Sequence, residues 1–313
     1  MRLGSRGSPL ALTQARLVAG MLARVAGETE SAFPIRPFTT SGDRIQDRLL
    51  QEAGGKGLFT KELDEALLDR RIDAAVHSMK DLPTRLPDGI VLAAVPARED
   101  PRDGLISLKA RSLAELAPGA VLGTASLRRQ AQALHLRPDL IVKPLRGSVE
   151  TRLKRIEEGK FDATFLALAG LTRLGLAGHA ARVIAATDMP PAPCQGALAI
   201  TCREDDAATR AVLAHINVPD LETAAAAERG FLTALDGSCR TPIGALATLD
   251  GGTLSFLGEV LTPDGRHRWR RHGSTLLGDD PKAAAEALGR SLGTEIAAAA
   301  GDKYRAHFGD RGW

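Results

Sequence analysis

Aromatic side chains are scarce in this chain of 313 residues: they make up 4% of it, with one tyrosine and two tryptophans. Its cores must therefore be assembled mostly from Leu, Val, Ile and Ala. Cysteine is also sparse. Cys194, Cys202 and Cys239 are an odd number without CxxC spacing, which argues against a disulfide framework or a zinc site and leaves free thiols, with no metal expected. No apolar run approaches the ~20 residues of a membrane span. The opening MRLGSRGSPLAL carries neither the apolar stretch nor the cleavage pattern of a secretory signal, so a cytoplasmic protein is expected. A large excess of one charge is missing too. A net charge of +3 and a pI near 8.9 are too mild for a basic coat against nucleic acid. If the positive charge is gathered into a cleft instead, the partner is a small polyanion.

What the chain does have is the length for two or three domains with real cores. Short apolar runs at 2–5, 35–39, 72–76, 90–95, 121–124, 140–142, 161–168 and 197–202 read as strands. Helical patterns alternate with them, which is the rhythm of an α/β protein. Ser8-Pro9 reads as a helix cap followed by proline at the first helical position, and Thr60 as the cap of a second helix. Two segments interrupt the rhythm. Arg98-Glu99-Asp100-Pro101-Arg102-Asp103 has the charge and proline of a crossover between domains, with Glu99 and Asp100 read as hinge salt bridges. Met189-Pro190-Pro191-Ala192-Pro193 returns the chain. The remainder changes character: a helix over 223–235, strand-like runs at 243–249, 254–260 and 268–274, and an alanine-rich helix over 281–300. The expected fold is α/β, with two domains of the periplasmic-binding-protein type (type 2) joined by a hinge, plus a small C-terminal α+β domain. The expected boundaries are 1–100 with 195–218, then 101–194, then 219–313.

Chemistry concentrates where strands end, the usual ligand position in open α/β sheets. The run 72–76 leads into His77-Ser78-Met79-Lys80-Asp81-Leu82-Pro83, and Pro83 stops any regular continuation. Arg or Lys recurs at other strand ends, so Asp81 reads as a lone acid in a ring of bases, suited to stabilising a cation or moving a proton on an anionic substrate. Ser126-Leu127-Arg128-Arg129 opens a helix with two arginines where the macrodipole favours acids, which points to a bound anion. Arg146 and Gly147 follow the strand at 140–142, Ser148 caps the helix carrying Arg152, and Arg173 lies one turn beyond Gly170. Arginine's planar fork matches a carboxylate, so repeated arginines suit a ligand bearing many of them. Gly54-Gly55-Lys56-Gly57 is not a P-loop, since no GK[ST] follows. Phe59 beside it is either core filler or a ring for stacking. Cys239 sits in a Gly-Ser-Cys-Arg turn at a helix end, with Arg240 adjacent to favour the thiolate.

Nine segments then fall in order between residues 5 and 244: SRGSPLAL, TSGD, GGKGLF, AVHSMKDLP, REDPRD, GTASLRRQ, LRGSVETRL, ALAGLTRLGL and DGSCRTPIG. Together they resemble the porphobilinogen deaminase (hydroxymethylbilane synthase) family across nearly the whole chain. The resemblance implies a transferase of tetrapyrrole biosynthesis that joins four porphobilinogens head to tail, with release of ammonia, into hydroxymethylbilane. It implies a dipyrromethane cofactor held covalently by Cys239, and Asp81 as the catalytic carboxylate stabilising the azafulvenium cation. Implied cofactor-binding positions are Asp43, Ser78, Lys80, Thr124, Ser126, Arg128, Arg129, Arg146 and Gly147. Implied substrate-binding positions are Arg6, Ser8, Lys56, Phe59, Arg152, Gly170, Arg173 and Gln195. The expected partner is porphobilinogen alone, without nucleic acid or membrane, and the expected state is a monomer.

The chain departs from the family pattern at Cys194-Gln195-Gly196, where the family usually has Gly-Gln-Gly. This places a second thiol near the expected cleft and, with Pro193, bears on the flexibility of the crossover. The alternative reading is a non-catalytic solute-binding or regulatory module of the same hinge fold. It would use the arginines but has no use for Asp81 and Cys239 together.

Overall fold

A computed structural model of the chain describes residues 1–44, 57–235 and 241–308. In the first stretch β1 (Leu3–Arg6) leads to α1 (Pro9–Ala26), β2 (Ile35–Phe38) and a short α2 (Ser41–Arg44). There follow α3 (Lys61–Leu68), β3 (Ala74–Ser78), β4 (Ile90–Ala94), β5 (Asp103–Ile106), β6 (Val121–Gly123) and α4 (Leu127–Leu136). Next come β7 (Ile141–Lys143), α5 (Val149–Glu157), β8 (Ala163–Ala167), α6 (Leu168–Arg173), β9 (Arg182–Val183), β10 (Leu198–Arg203) and α7 (Ala207–Ala214). The last elements are α8 (Pro219–Ala234), β11 (Ile243–Asp250), β12 (Thr253–Leu261), β13 (Arg268–Leu276) and α9 (Pro281–Phe308).

Two five-stranded sheets share one design. Their orders are β2-β1-β3-β10-β4 and β7-β6-β8-β5-β9. In each, four strands run parallel and one runs against them, β10 in the first and β5 in the second. Each antiparallel strand lies just after a crossover, so the two connections enter both sheets rather than merely linking them. This is the two-unit type 2 arrangement expected above. In the first sheet α1 covers one face: Leu3, Val18, Leu22, Val76 and Ile200 meet in one core. In the second, Leu105, Leu122 and Phe165 share a core with Leu113 and Met189. The third sheet is the antiparallel meander β11-β12-β13, with α8 and α9 packed on it around Phe231, Phe256 and Ile296.

The structure differs from the expectations at several points. The strand expected at 72–76 runs over Ala74–Ser78, and its sheet is mixed rather than parallel, because β10 pairs with it in the opposite sense. The strand expected over 161–168 stops at Ala167, and residues 168–173 turn into α6, so Gly170 lies in a helix. The helix expected from 223 begins at Pro219, where the missing N–H costs nothing. The alanine-rich helix expected over 281–300 is assigned over Pro281–Phe308, broken at Gly301 by a non-helical backbone. Thr60 occupies the cap position of α3 without a side-chain cap bond.

Candidate active site

β3 positions the first half of the site. Its last residue, Ser78, is anchored to Gln14 of α1 by hydrogen bonds of 3.0 and 3.1 Å. The chain then makes one 3-10 turn, Met79–Asp81, in which Met79 is the buried residue. Lys80 and Asp81 are left half-buried at its edge. Arg6, the last residue of the parallel neighbour β1, approaches Asp81 to 3.6 Å. The same guanidinium is ion-paired with Asp43, which also accepts from the Thr40 hydroxyl at 2.7 Å. Burial opposes both charges, but the pairing prevails: Arg6 titrates above and Asp43 below its ordinary value. Arg6 also lies 4.3 Å from the centre of the Phe59 ring, so that ring face meets a cation.

The second half belongs to α4 and the crossovers. Ser126 caps α4, accepting from the Arg129 N–H, and donates its own N–H to Thr124 Oγ1 at 3.1 Å. Arg128 and Arg129, in the first turn, do not point to solvent. Each contacts the fully buried Asp103 at 2.8 Å. Burial alone would raise the Asp103 pKa, yet the two guanidinium groups hold it well below the usual carboxylate range. Asp103 Oδ1 also accepts from Gln195 Nε2 at 2.9 Å, and Gln195 Oε1 accepts from Lys80 Nζ at 3.3 Å. One side chain of the returning crossover thus ties the Asp81 turn to the arginine pair. Burial, with Arg129 nearby, pushes the Lys80 ammonium down to about 8.

The crossovers are stitched together. Gly196, at φ +87°, has Glu99 O within 2.3 Å of where a Cβ would sit, so only glycine fits. Its carbonyl accepts from Arg173 at 2.6 Å and from the Glu99 N–H at 3.1 Å. Asp100 pairs with Arg102, two residues on in the same crossover, at 2.6 Å. Arg98, nearly buried, makes a two-pronged pair with the fully buried Glu228 of α8 at 2.7 and 3.1 Å. Elsewhere Arg152 Nε donates to Gly147 O at 2.9 Å, and burial beside Arg129 and Arg146 lowers its pKa. Ser8 Oγ accepts from the Ala11 N–H at 3.3 Å, capping α1. Gly170 meets Leu10 of α1, which lies 3.4 Å from where a Cβ would stand. Lys56 and Cys239 lie outside the described residues.

Two expectations are corrected here. Asp81 is not a solitary acid, because Asp43 and Asp103 stand in the same constellation, each matched by arginine. The anion expected at the start of α4 is in part internal. Asp103 went unrecognised because it ends a charged crossover run and opens a four-residue strand. The second correction concerns Cys194. It is buried with Met79, Val95 and Ala225 beside the Arg98–Glu228 pair, its backbone N–H donating to Glu228, and burial and then Glu228 push its thiol up to about 12. Its backbone is left-handed, at φ 61°, a conformation that glycine adopts freely.

Comparison with known proteins decides the family. Residues 1–211 match the model described as porphobilinogen deaminase, dipyromethane cofactor binding domain, and residues 223–298 match the porphobilinogen deaminase C-terminal domain. The chain belongs to the porphobilinogen deaminase family. A porphobilinogen deaminase of Caulobacter vibrioides is 55% identical over 320 residues, covering 96% of each chain. Another, of Phenylobacterium zucineum, is 52% identical over 311 residues, covering 96% of this chain and 97% of its own. Among solved structures, a putative methionine-binding lipoprotein of Bacillus subtilis is similar at 16% identity with a TM-score of 0.43, covering 71% of this chain and 92% of its own. A periplasmic substrate-binding protein of an ABC transporter from Coxiella burnetii is similar at 19% identity and a TM-score of 0.43, covering 73% and 96%.

The residues present fit a polycarboxylate cofactor of this family. Arg128 Nε, Arg129 Nε and Arg173 Nε are buried N–H donors without an acceptor among the described residues, and such donors are costly unless something accepts from them. Carboxylates would complete them.

Proposed function

We propose that this chain is a hydroxymethylbilane synthase that joins four porphobilinogens head to tail, releasing one ammonia at each addition. The primer is a dipyrromethane bound through a thioether to Cys239. The observation that carries this reading is the Asp81 carboxylate, 3.6 Å from Arg6 and joined through Lys80, Gln195 and Asp103 to buried arginine donors that lack acceptors among the described residues. Three units are proposed: residues 1–100 with 195–218, residues 101–194, and residues 219–313. A cytoplasmic monomer completes the reading. Among the described residues no helix is long and apolar enough to cross a membrane.

When bound, the primer supplies the terminal pyrrole to which the next unit is joined. Arg128, Arg129, Arg146, Arg152 and Arg173 hold the acetate and propionate groups that accumulate as the chain grows. Lys80 adds a donor that Gln195 orients. Asp81 accepts a hydrogen bond from the pyrrole N–H and offsets the positive charge that develops as ammonia departs. Arg6, fixed by Asp43 and set over Phe59, orients Asp81. Asp43, Ser78, Thr124, Ser126, Gly147 and Gly170 shape the walls, and Ser8 and Lys56 complete the substrate contacts.

Intact mass under denaturing conditions tests the reading. The purified chain should carry an adduct of two pyrrole units, and Cys239→Ser should carry none. A chain of unmodified mass that leaves porphobilinogen unconsumed overturns the proposal and favours a binding module.

A further inference from the structure

One contact reaches the arginine pair from the unit that follows the second crossover. Glu259 lies on β12 and is 1% exposed, although a carboxylate is rarely found so deep without a task. Its Oε1 accepts from Gln132 Nε2 at 3.0 Å, and its Oε2 accepts from Arg270 Nε at 2.9 Å. Arg270 in turn donates to the Thr187 carbonyl at 2.6 Å, at the start of the returning crossover. Gln132, on α4 and 2% exposed, also donates to the Pro190 carbonyl at 2.9 Å. Its Oε1 accepts from Arg128 Nη1 at 2.9 Å. With Arg128 on Asp103, Asp103 on Gln195 and Gln195 on Lys80, a buried polar chain joins β12 to the Asp81 turn. The hairpin beyond β12 docks on the same helix. His135 Nδ1 donates to Gly265 O at 2.8 Å, and Gly265 has the His135 N within 2.5 Å of where a Cβ would stand.

We propose that Glu259 is a positioning residue of the reaction: through Gln132 it fixes the Arg128 side chain relative to the C-terminal unit that carries the primer. This rests on the function proposed above and adds a residue that touches neither substrate nor cofactor. The physical basis is the number of acceptors. Arg128 Nη1 is shared among Asp103, Gln132 and Pro190 O, while Nε keeps no acceptor among the described residues. Gln132 can present Oε1 to Arg128 only while its amide nitrogen has acceptors on the other side, and Glu259 is one of them. Without Glu259 the amide is less firmly oriented and Arg128 loses a fixed partner.

The primer is covalently held, so a displaced Arg128 cannot appear as lost primer affinity. It appears as slower addition. Glu259→Leu should lower kcat per primed molecule, the primed fraction being counted by intact mass, by about 2- to 30-fold, with KM for porphobilinogen nearly unchanged. Glu259→Gln keeps an acceptor for Gln132 and should restore most of kcat. Hydrogen exchange over residues 127–132 should quicken in Glu259→Leu and not in Glu259→Gln. If Glu259→Leu does not fold, Gln132→Met tests the link from its other end, with the same loss expected. Wild-type kcat per primed molecule in Glu259→Leu or Gln132→Met overturns the proposal. So does an equal loss in Glu259→Leu and Glu259→Gln, which would assign the effect to the Arg270 pair. A wild-type chain without primer or turnover would instead refute the proposed function.

Discussion

Replacing Asp103 by asparagine separates an internal counter-ion from a merely polar contact. Asp103 is fully buried, with Arg128 and Arg129 each 2.8 Å from one of its oxygens and each side chain at most 7% exposed. Asparagine keeps the volume and can still accept from Gln195 Nε2. What it removes is the one negative charge between two buried guanidinium groups. Breaking a buried ionic cluster from one side costs about 3–5 kcal/mol. At about 2–4 °C per kcal/mol for a chain above 150 residues, the melting temperature of the unprimed protein should fall by roughly 6–20 °C. Folding lowers this pKa from its ordinary value of 3.8. The contribution is therefore complete above about pH 4 and is lost as pH falls toward the folded value. Melting curves of the Cys239→Ser background, with and without Asp103→Asn, should differ by a constant gap from pH 5 to 8 that closes only in stronger acid. Added citrate should narrow it by supplying carboxylates to the same arginines. A shift below 2 °C at pH 7 would refute the counter-ion assignment, since two buried cations would then tolerate each other unaided.

Asp81→Ala should leave the melting temperature within a few degrees and the primer in place, because Asp81 is half-buried and, among the described residues, has one ionic contact, at 3.6 Å. Turnover should drop by roughly 100-fold or more, and product formation near the wild-type rate would exclude Asp81 from the chemistry. Lys80, pushed down to about 8 from 10.5, loses its charge as pH rises through that value. The kcat profile should therefore fall on an alkaline limb at or above pH 8, as a bound carboxylate raises the pKa, and Lys80→Gln should lack that limb. In the unprimed protein the same depression makes stability rise between about pH 8 and 10.5, where the unfolded chain binds the extra proton. An identical alkaline limb in both proteins would rule Lys80 out. Cys194, raised to about 12, should resist iodoacetamide at pH 8 in the native protein and react once unfolded, as peptide mass mapping would show. Rapid native labelling would contradict its burial.

The parts of the fold that could be read from sequence were those where one local signal suffices. Ser8-Pro9 announced a helix start, and short apolar runs marked the sheet strands. Arginines in the first turn of α4 ran against the macrodipole and pointed to an anion. Asp103 escaped because its segment is charged at almost every position, so nothing local distinguishes Asp100, paired at the surface with Arg102, from Asp103, buried three residues later. β9, two residues long, has no periodicity to read. Cys194 is visible in the sequence as a departure from glycine near the expected cleft, whereas the direction of its side chain depends on Ala225 of α8, 31 residues onward. Gln132 and Glu259, 127 residues apart, are an ordinary helix amide and an ordinary strand acid until packing brings them together.

The internal acids bear on how a basic site waits for its ligand. Buried guanidinium groups held close together repel one another and lose hydration, and a site of bare arginines would open or admit stray anions. Asp103 resolves this for Arg128 and Arg129 by occupying one terminal nitrogen of each, while both Nε atoms have no acceptor among the described residues. Asp43 neutralises Arg6 from the other edge, taking Nε and Nη2 and leaving Nη1 within 3.6 Å of Asp81. A ligand carboxylate then adds to an assembled network and need not displace a partner. Such a site discriminates by completing donors, which a methyl ester matches poorly because it brings no charge. The esters of porphobilinogen should accordingly compete weakly against the free acid, and an ester that competes as well as the acid would show that ring contacts, and not these arginines, dominate recognition.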